Sequence, residues 1–465
     1  MTILIDAYNI ARAQGTGVAT YGRTLAKTAA GLGHEVSLLF GSRARRQRRP
    51  LLNEIALAEG DEAIAAQSKP PSRTQQLAMA ARGILAARPA SEIPLTGEVI
   101  LPPHLRAALA MGSGGGSSGA RFWNAPQLYS LAHGAFRVTG QFTRVTAGRT
   151  DIAHWTYPLP VKVPGAANVY TLHDLVPLRL PYTTADRKKS YLALCRAIAR
   201  KADHILTVSE HSRADIIRIL GVEERRVTNL YQPTDIASLL TGVSEAQIAG
   251  EVEGLLRAEH RGYYLFFGAI EPKKNVTRIL EAYLASGSRK PLVIVGAPGW
   301  GSDRDIALLK QMTKLDRPRR IKWLGYLPRH TLATLIAGAR AVLFPSLYEG
   351  FGLPVLEAMT LGTPVITSTA SSLPEVAGDA ALLVDPFDTR ALTQAILSLD
   401  ADDAAVADLS RAGLVQAQQF SAAAYNHKLA AFYAELLGVV RPRLAAFSAD
   451  TDPIPIPRTA QAEAA

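Results

Sequence analysis

The sequence predicts an α/β protein built from more than one parallel-sheet domain. Three observations carry that expectation. The chain has 465 residues, more than one ordinary domain holds. Its first forty residues run strand, glycine loop, helix, strand, which is a parallel βαβ unit with a right-handed crossover. The same order returns from Ala341 to Ile366. A short apolar strand ends at Phe344, a loop carries Gly350 and Gly352, Pro354 suits a first helical turn, and Gly362 stops the helix before another strand.

Composition narrows the function classes. With 48% hydrophobic residues the chain can bury sizeable cores. A single cysteine, Cys195, excludes an intrachain disulfide and fits a reducing compartment. Within Tyr-Leu-Ala-Leu-Cys-Arg it reads as a small buried side chain. The start, Met-Thr-Ile-Leu-Ile-Asp6, lacks the basic region and long apolar core of a secretory signal. No apolar run is long enough to span a bilayer. A cytoplasmic protein is expected, with room for peripheral attachment to the inner face of the plasma membrane. The net charge of +11 invites nucleotides, anionic lipid surfaces or nucleic acid. Nucleic acid has no other support, because neither an aromatic-basic sheet motif nor a recognition helix is found; no nucleic-acid partner is expected.

The stretch from Phe344 to Ile366 carries the chemistry. Gly350 and Gly352 bracket Phe351, so the backbone can turn tightly and approach a ligand. The loop empties onto a helix N-terminus whose free N–H groups suit a phosphate. Glu349 lies on the loop, and Glu357 about one turn into the helix. This Glu-x7-Glu beside Gly-Phe-Gly-Leu-Pro resembles the donor-site signature of retaining glycosyltransferases of family 4. Those enzymes have the GT-B fold, two Rossmann-like doubly wound parallel-sheet domains facing across a cleft. The resemblance implies that Glu357 holds the ribose of a nucleotide sugar and that Glu349 faces the transferred sugar. It also puts the backbone of Phe351, Gly352 and Leu353 against sugar hydroxyls and phosphate. Without the glycines and proline, two glutamates at that spacing would read as a solvated loop residue and a dipole-favoured helix residue.

Taken in order, Ile3–Asp6 is the first strand, and a helical period runs from Val18 to about Leu32 before the strand His34–Phe40. The loop between the first strand and helix holds Gly15 and Gly17, split by Thr16. A ligand is expected at that strand end, and the resemblance assigns Gly15 and Gly17 to donor phosphates or acceptor. Residues 41–150 fit the family pattern poorly and read as an insertion. It opens with the run Arg43, Arg45, Arg46, Arg48 and Arg49, continues through a helix-forming stretch from Pro71 to Arg88, and includes a flexible linker, Gly112–Gly119. The expectation is that it gathers the acceptor, a saccharide or lipid-linked saccharide, at an anionic membrane face.

From Asp151 the alternation resumes. Strands end at Trp155 and Leu172, and His173-Asp174 follows the second. The segment resembles the family's His-Asp pair, which places His173 beside the reacting sugar. A neutral imidazole there hydrogen-bonds without adding fixed charge. His154 and His204 read as structural. Ser209 N-caps a helix within a Val-Ser-x-x-Ser stretch that ends a late strand of the first domain. Gln232-Pro233 stands where the family usually has Asn-Gly. The first domain, 1–236, is assigned to acceptor binding, and 237–260, polar and helical in composition, to the linker between domains.

The second domain, 261–420, opens with Tyr263–Phe267 and then Gly268-Ala-Ile-Glu-Pro-Lys273-Lys274-Asn275. The resemblance pairs Lys274 with the donor diphosphate, where an ammonium stabilises charge developing on the leaving group. Many relatives carry arginine where this chain has Ala269. Further strands are expected at Leu292–Val295, Ile321–Leu324 and Ala341–Phe344, and Tyr326 follows the second of these at the family's base-binding turn. Glu375 is assigned to its own helix start. A serine-capped helix over 421–440 should return to the first domain, and 441–465 should be disordered. Asp303-Arg-Asp305 and Asp450-Thr-Asp452 mimic metal-binding triplets but read as solvated.

The implied reaction is metal-independent and needs no cofactor beyond its nucleotide-sugar substrate. It transfers a hexose, GDP-mannose being the first choice of donor, with retention and with the departing phosphate taking the acceptor's proton. The alternative is a catalytically silent GT-B protein serving as a binding partner.

Overall fold

The computed structural model describes residues 1–11, 17–44, 46–67, 74, 78, 81, 87–102, 120–315 and 320–449. Gly15, Arg45, the Gly112–Gly119 run, most of the Pro71–Arg88 stretch and Asp450-Thr-Asp452 with the tail beyond lie outside the described residues.

Two parallel sheets form the two lobes. In the first the strand order is Val227–Asn229, His204–Thr207, Ala167–Thr171, Ile152–Trp155, Thr2–Asp6, Glu35–Phe40, Arg121–Asn124 and Ser91–Ile93. Only the last pair is antiparallel. The second sheet runs Ile321–Leu324, Leu292–Val295, Tyr264–Phe267, Ala341–Phe344, Val365–Ser368 and Leu382–Val384, all parallel. The central strands are buried on both faces, as Tyr264–Phe267 and Ala341–Phe344 illustrate. Helices must therefore cover both sides of each sheet.

The region read as an insertion belongs in part to the first sheet. Arg121–Asn124 pairs with Glu35–Phe40 in parallel, and Thr143–Thr146 joins a small sheet with Arg88–Pro89 and Val161–Lys162. The strand is short, and its first residue, Arg121, is exposed and pairs with Glu35, so its pattern lacks an apolar run. The segment read as a linker also packs. Ser244 and Gln247 form a capping box for the helix Glu245–Leu256, which buries Val252 and Leu256 and ties to the helix Arg329–Ala337 through Thr334 and Glu251.

The C-terminal helix spans Ala422–Ala449, further than Arg441, in a stretch rich in the strong helix formers Ala, Leu and Arg. It crosses to the first lobe as expected. The Tyr433 hydroxyl meets His154 Nδ1 at 2.8 Å, and Phe432 lies edge-on to His204. Both histidines are structural: burial lowers His154 to about 3, and His204 bonds Thr228. Cys195 is fully buried and its thiol is pushed up to about 12 by that burial. Among the described residues no helix is long and apolar enough to cross a membrane.

Candidate active site

Strand order selects the place. In the second lobe the order, numbered within the lobe, is 3-2-1-4-5-6, reversing between Tyr264–Phe267 and Ala341–Phe344. Ligands of such sheets bind at the carboxyl ends of the strands flanking the reversal. The segments leaving these two strands contain Lys274 and Glu349. They are tied together by Asn275, whose amide donates to Pro345 O at 3.0 Å and to Pro386 O at 2.7 Å. Leu347 N donates to Lys273 O at 2.8 Å.

Lys274 Nζ lies 2.6 Å from Glu349 Oε1, both side chains almost wholly buried. The ammonium also sits 4.7 Å over the Phe344 ring. Burial alone would raise the Glu349 carboxyl, but Lys274 and Lys273 outweigh it and hold it below its ordinary range. Burial lowers the Lys274 ammonium against the pull of Glu349. Burial opposes Lys273 as well, yet Glu349, Asp174 and Glu271 together raise it. Lys274 and Glu349 thus form a close buried pair, with Lys273 beside it.

Glu357 lies one turn into the helix Leu353–Thr360. Arg329 stands 3.9 Å from it and 2.8 Å from Asp235, in the segment joining the lobes. Burial pushes Glu357 up to about 7, with Arg329 opposing, Asp235 reinforcing and a Thr234 hydrogen bond opposing. Arg23, from the first lobe, feels Arg329, Asp235 and Tyr326. Tyr326 itself is exposed, past the edge strand Ile321–Leu324.

The loop from Glu349 to Leu353 is pressed against the first lobe. A Cβ on Gly350 would stand 2.7 Å from Asp174 Oδ2 and 3.0 Å from His173 O. Gly352 has φ 110, in the region that favours glycine, and a Cβ there would meet Leu373 at 2.8 Å. Gly17 begins the first helix, and its Cβ position is 3.3 Å from Leu353. Phe351 is buried against Phe420. The amides of Phe351, Gly352 and Leu353 make no hydrogen bond among the described residues.

His173 completes the set from the other side. Its Nε2 is 3.0 Å from Thr156 O, and its ring meets Tyr21 edge-on. A carbonyl only accepts, so Nε2 carries the proton. Burial lowers the imidazole pKa, so the ring is neutral and Nδ1 is an acceptor. Asp6 supports this turn: its carboxylate accepts from the Thr156 backbone N–H and hydroxyl, and burial raises it to about 6.

The structure therefore gathers Gly17, His173, Lys274, Glu349, Phe351, Gly352, Leu353 and Glu357 where the two lobes meet. It adds residues the motif did not mark, among them Ser209, Ser212, Asp215, Arg329 and Ser372. Tyr348 donates its hydroxyl to Asp215 across the cleft at 2.6 Å. Glu375 serves the opposite lobe rather than its own helix start. Its carboxylate accepts from Glu210 N at 2.7 Å and His211 N at 3.2 Å, at the positive end of the helix Glu210–Leu220. Asp305 accepts from the Thr277 hydroxyl, a local use.

Comparison with known proteins agrees with this architecture. The family "Glycosyl transferases group 1" matches residues 251–415, and "Glycosyltransferase Family 4" matches 104–238. O-antigen chain mannosyltransferase B of Escherichia coli is 37% identical over 265 residues, covering 54% of this chain and 66% of that protein. O-antigen chain mannosyltransferase RfbU of Salmonella typhimurium is 25% identical, covering 50% and 60%. The chain thus spans just under two thirds of these relatives' lengths. Sucrose-phosphate synthase from Thermosynechococcus elongatus superposes with TM-score 0.63 at 19% identity, over 94% of this chain and 99% of that one. Anabaena HepE in complex with UDP and glucose gives 0.62 at 17%, over 94% and 100%. Two facing sheets and both domain families in sequence lead to one conclusion: residues 104–238 and 251–415 are the Glycosyltransferase Family 4 and Glycosyl transferases group 1 domains of a GT-B fold.

Proposed function

We propose that the chain moves a hexose from a nucleotide diphosphate sugar to a saccharide or lipid-linked saccharide in surface polysaccharide or glycolipid synthesis. Mannose from GDP-mannose is the first choice, in keeping with relatives named as mannosyltransferases. One observation carries the reading: the buried Lys274–Glu349 pair beside a loop of unengaged amides, facing a neutral His173. Glu357 holds the ribose. Lys274 and the amides receive the diphosphate, and Glu349 and His173 hold the sugar.

The acceptor oxygen attacks the anomeric carbon from the face the phosphate leaves. The carbon–phosphate-oxygen bond breaks, its electron pair stays with the phosphate, and the acceptor's proton passes to that phosphate. Configuration is retained. The protein contributes positioning and stabilisation of the leaving charge. Lys274, Lys273 and the helix N-terminus supply positive potential, so no metal or other cofactor is assigned. Arg43, Arg46, Arg48 and Arg49 are exposed on the first lobe and suit an anionic membrane face at the cytoplasmic side.

The test is a thermal-shift screen of GDP, UDP, ADP and dTDP followed by transfer assays with the matching sugar donors. A raised melting point with one nucleotide and transfer from its sugar support the reading. Nucleotide binding without cleavage of any donor would favour a silent binding protein. Neutralising the four arginines without effect on sedimentation with anionic vesicles would remove the membrane contact.

A further inference from the structure

Three successive peptide units of the donor loop are anchored at their oxygen ends by serines. The Ser372 hydroxyl is shared between Glu349 O at 3.0 Å and Phe351 O at 2.8 Å. The Gly350 carbonyl between them accepts from two hydroxyls of the other lobe, Ser209 at 2.7 Å and Ser212 at 3.1 Å. All three serines are fully buried. A trans peptide points its N–H opposite its carbonyl, and the chain has no cis peptide among the described residues. Fixing these carbonyls therefore fixes the directions of the Gly350, Phe351 and Gly352 N–H groups. None of those three donates to a partner among the described residues.

A local role accounts for only part of the serine pair. Ser209 caps the helix Glu210–Leu220 by accepting from Ser212 N at 3.0 Å. That cap uses a lone pair, whereas the hydroxyl's single proton goes to Gly350. Capping needs an acceptor alone, and Asp or Asn would serve it as well. Ser212 lends only its backbone N–H to the cap. Its hydroxyl, buried inside the first turn, bonds only Gly350 O among the described residues. A buried hydroxyl costs free energy unless it is bonded, so its one partner identifies its task.

We infer that Ser209 and Ser212 are positioning residues, which reach across the cleft to align the donor-loop amides with the oxygens of the sugar and phosphate. The alignment is complete only when the lobes are together, because two of the three anchoring serines belong to the first lobe. The inference rests on the proposed function, and it assigns to the Val208-Ser209-x-x-Ser212 stretch a task beyond ending a strand.

The test compares the parent with Ser212→Ala, Ser212→Thr and Ser209→Ala/Ser212→Ala. Calorimetry reads GDP and UDP binding, steady-state assays read sugar transfer, and melting reads folding. In the double variant kcat is expected to fall about tenfold or more, and nucleoside diphosphate affinity by clearly less, because Lys274 and Glu357 are left in place to hold the diphosphate and ribose. Ser212→Ala should lose less, and Ser212→Thr should recover most of that loss. An unchanged kcat in the folded double variant overturns the inference, as does a parallel loss of nucleotide affinity and kcat. If the double variant does not fold, the Ala and Thr single variants decide it: equal kcat in both, whether intact or lowered, overturns it. A parent that cleaves no nucleotide sugar overturns the functional reading and this inference with it.

Discussion

Lys274 and Glu349, 75 positions apart in the chain, meet at 2.6 Å where two adjacent strands end. The contact joins the two motifs read separately in sequence. In the proposed function it puts the Lys274 amine where a diphosphate would leave.

Lys274→Ala should therefore cost both stability and rate. Breaking one partner of a buried pair typically costs about 3–5 kcal/mol, read here by denaturant unfolding. Loss of one leaving-group donor should lower kcat by roughly 10²–10³. Lys274→Met/Glu349→Leu removes both charges, so stability should return towards the parent while activity stays lost. A double variant that regains activity would contradict the assignment.

Glu357 gives a pH signature. Its pKa in the fold is about 7, against an ordinary 4.5. Between those values the folded protein holds a proton that the unfolded chain has released. Stability therefore falls as pH rises through this window, by about 3 kcal/mol. Binding a ribose that donates to the carboxylate requires the ionised form, so nucleotide-sugar affinity should rise with pH up to about 7 and then level off. Calorimetry over that range checks it, and Glu357→Gln should flatten the curve. A flat profile in the parent would remove Glu357 from the ribose site.

Gly350→Ala should hold the lobes apart. Its new Cβ would sit 2.7 Å from Asp174 Oδ2 and 3.0 Å from His173 O, both on the other lobe. Nucleotide affinity, carried by the second lobe, should persist while transfer drops by about tenfold or more. Small-angle scattering should show a larger radius of gyration. A variant as compact and active as the parent would mean the contact is not made during turnover.

Chelation bears on the leaving group. With Lys274 and Lys273 beside the cleft, transfer should survive EDTA. Activity lost on chelation and restored by a divalent cation would show that these ammonium groups do not suffice.

Much of this was legible because the chemistry lies on short motifs. Glu349, Phe351, Gly352, Leu353 and Glu357 share one loop and helix, and Lys274 and His173 each follow a strand. The contacts that complete the site are not local. Glu375 meets Glu210 and His211 across more than 160 positions, and Ser209 meets Gly350 across 141. Neither pair leaves a spacing to read. Arg121–Asn124 was hidden because a short edge strand with an exposed arginine has no apolar run. The helix Glu245–Leu256 was legible in its composition but its packing was not, because only Val252 and Leu256 are buried, too few to mark a core face.

Isothermal titration of a panel of nucleotide diphosphate sugars into the parent, Glu357→Gln and Lys274→Ala tests the central claim most directly. One donor should bind the parent, and each variant should weaken it by about tenfold or more, as loss of a charged contact implies. Binding of no nucleotide sugar, or equal binding by all three proteins, would contradict a cleft built to hold and cleave one.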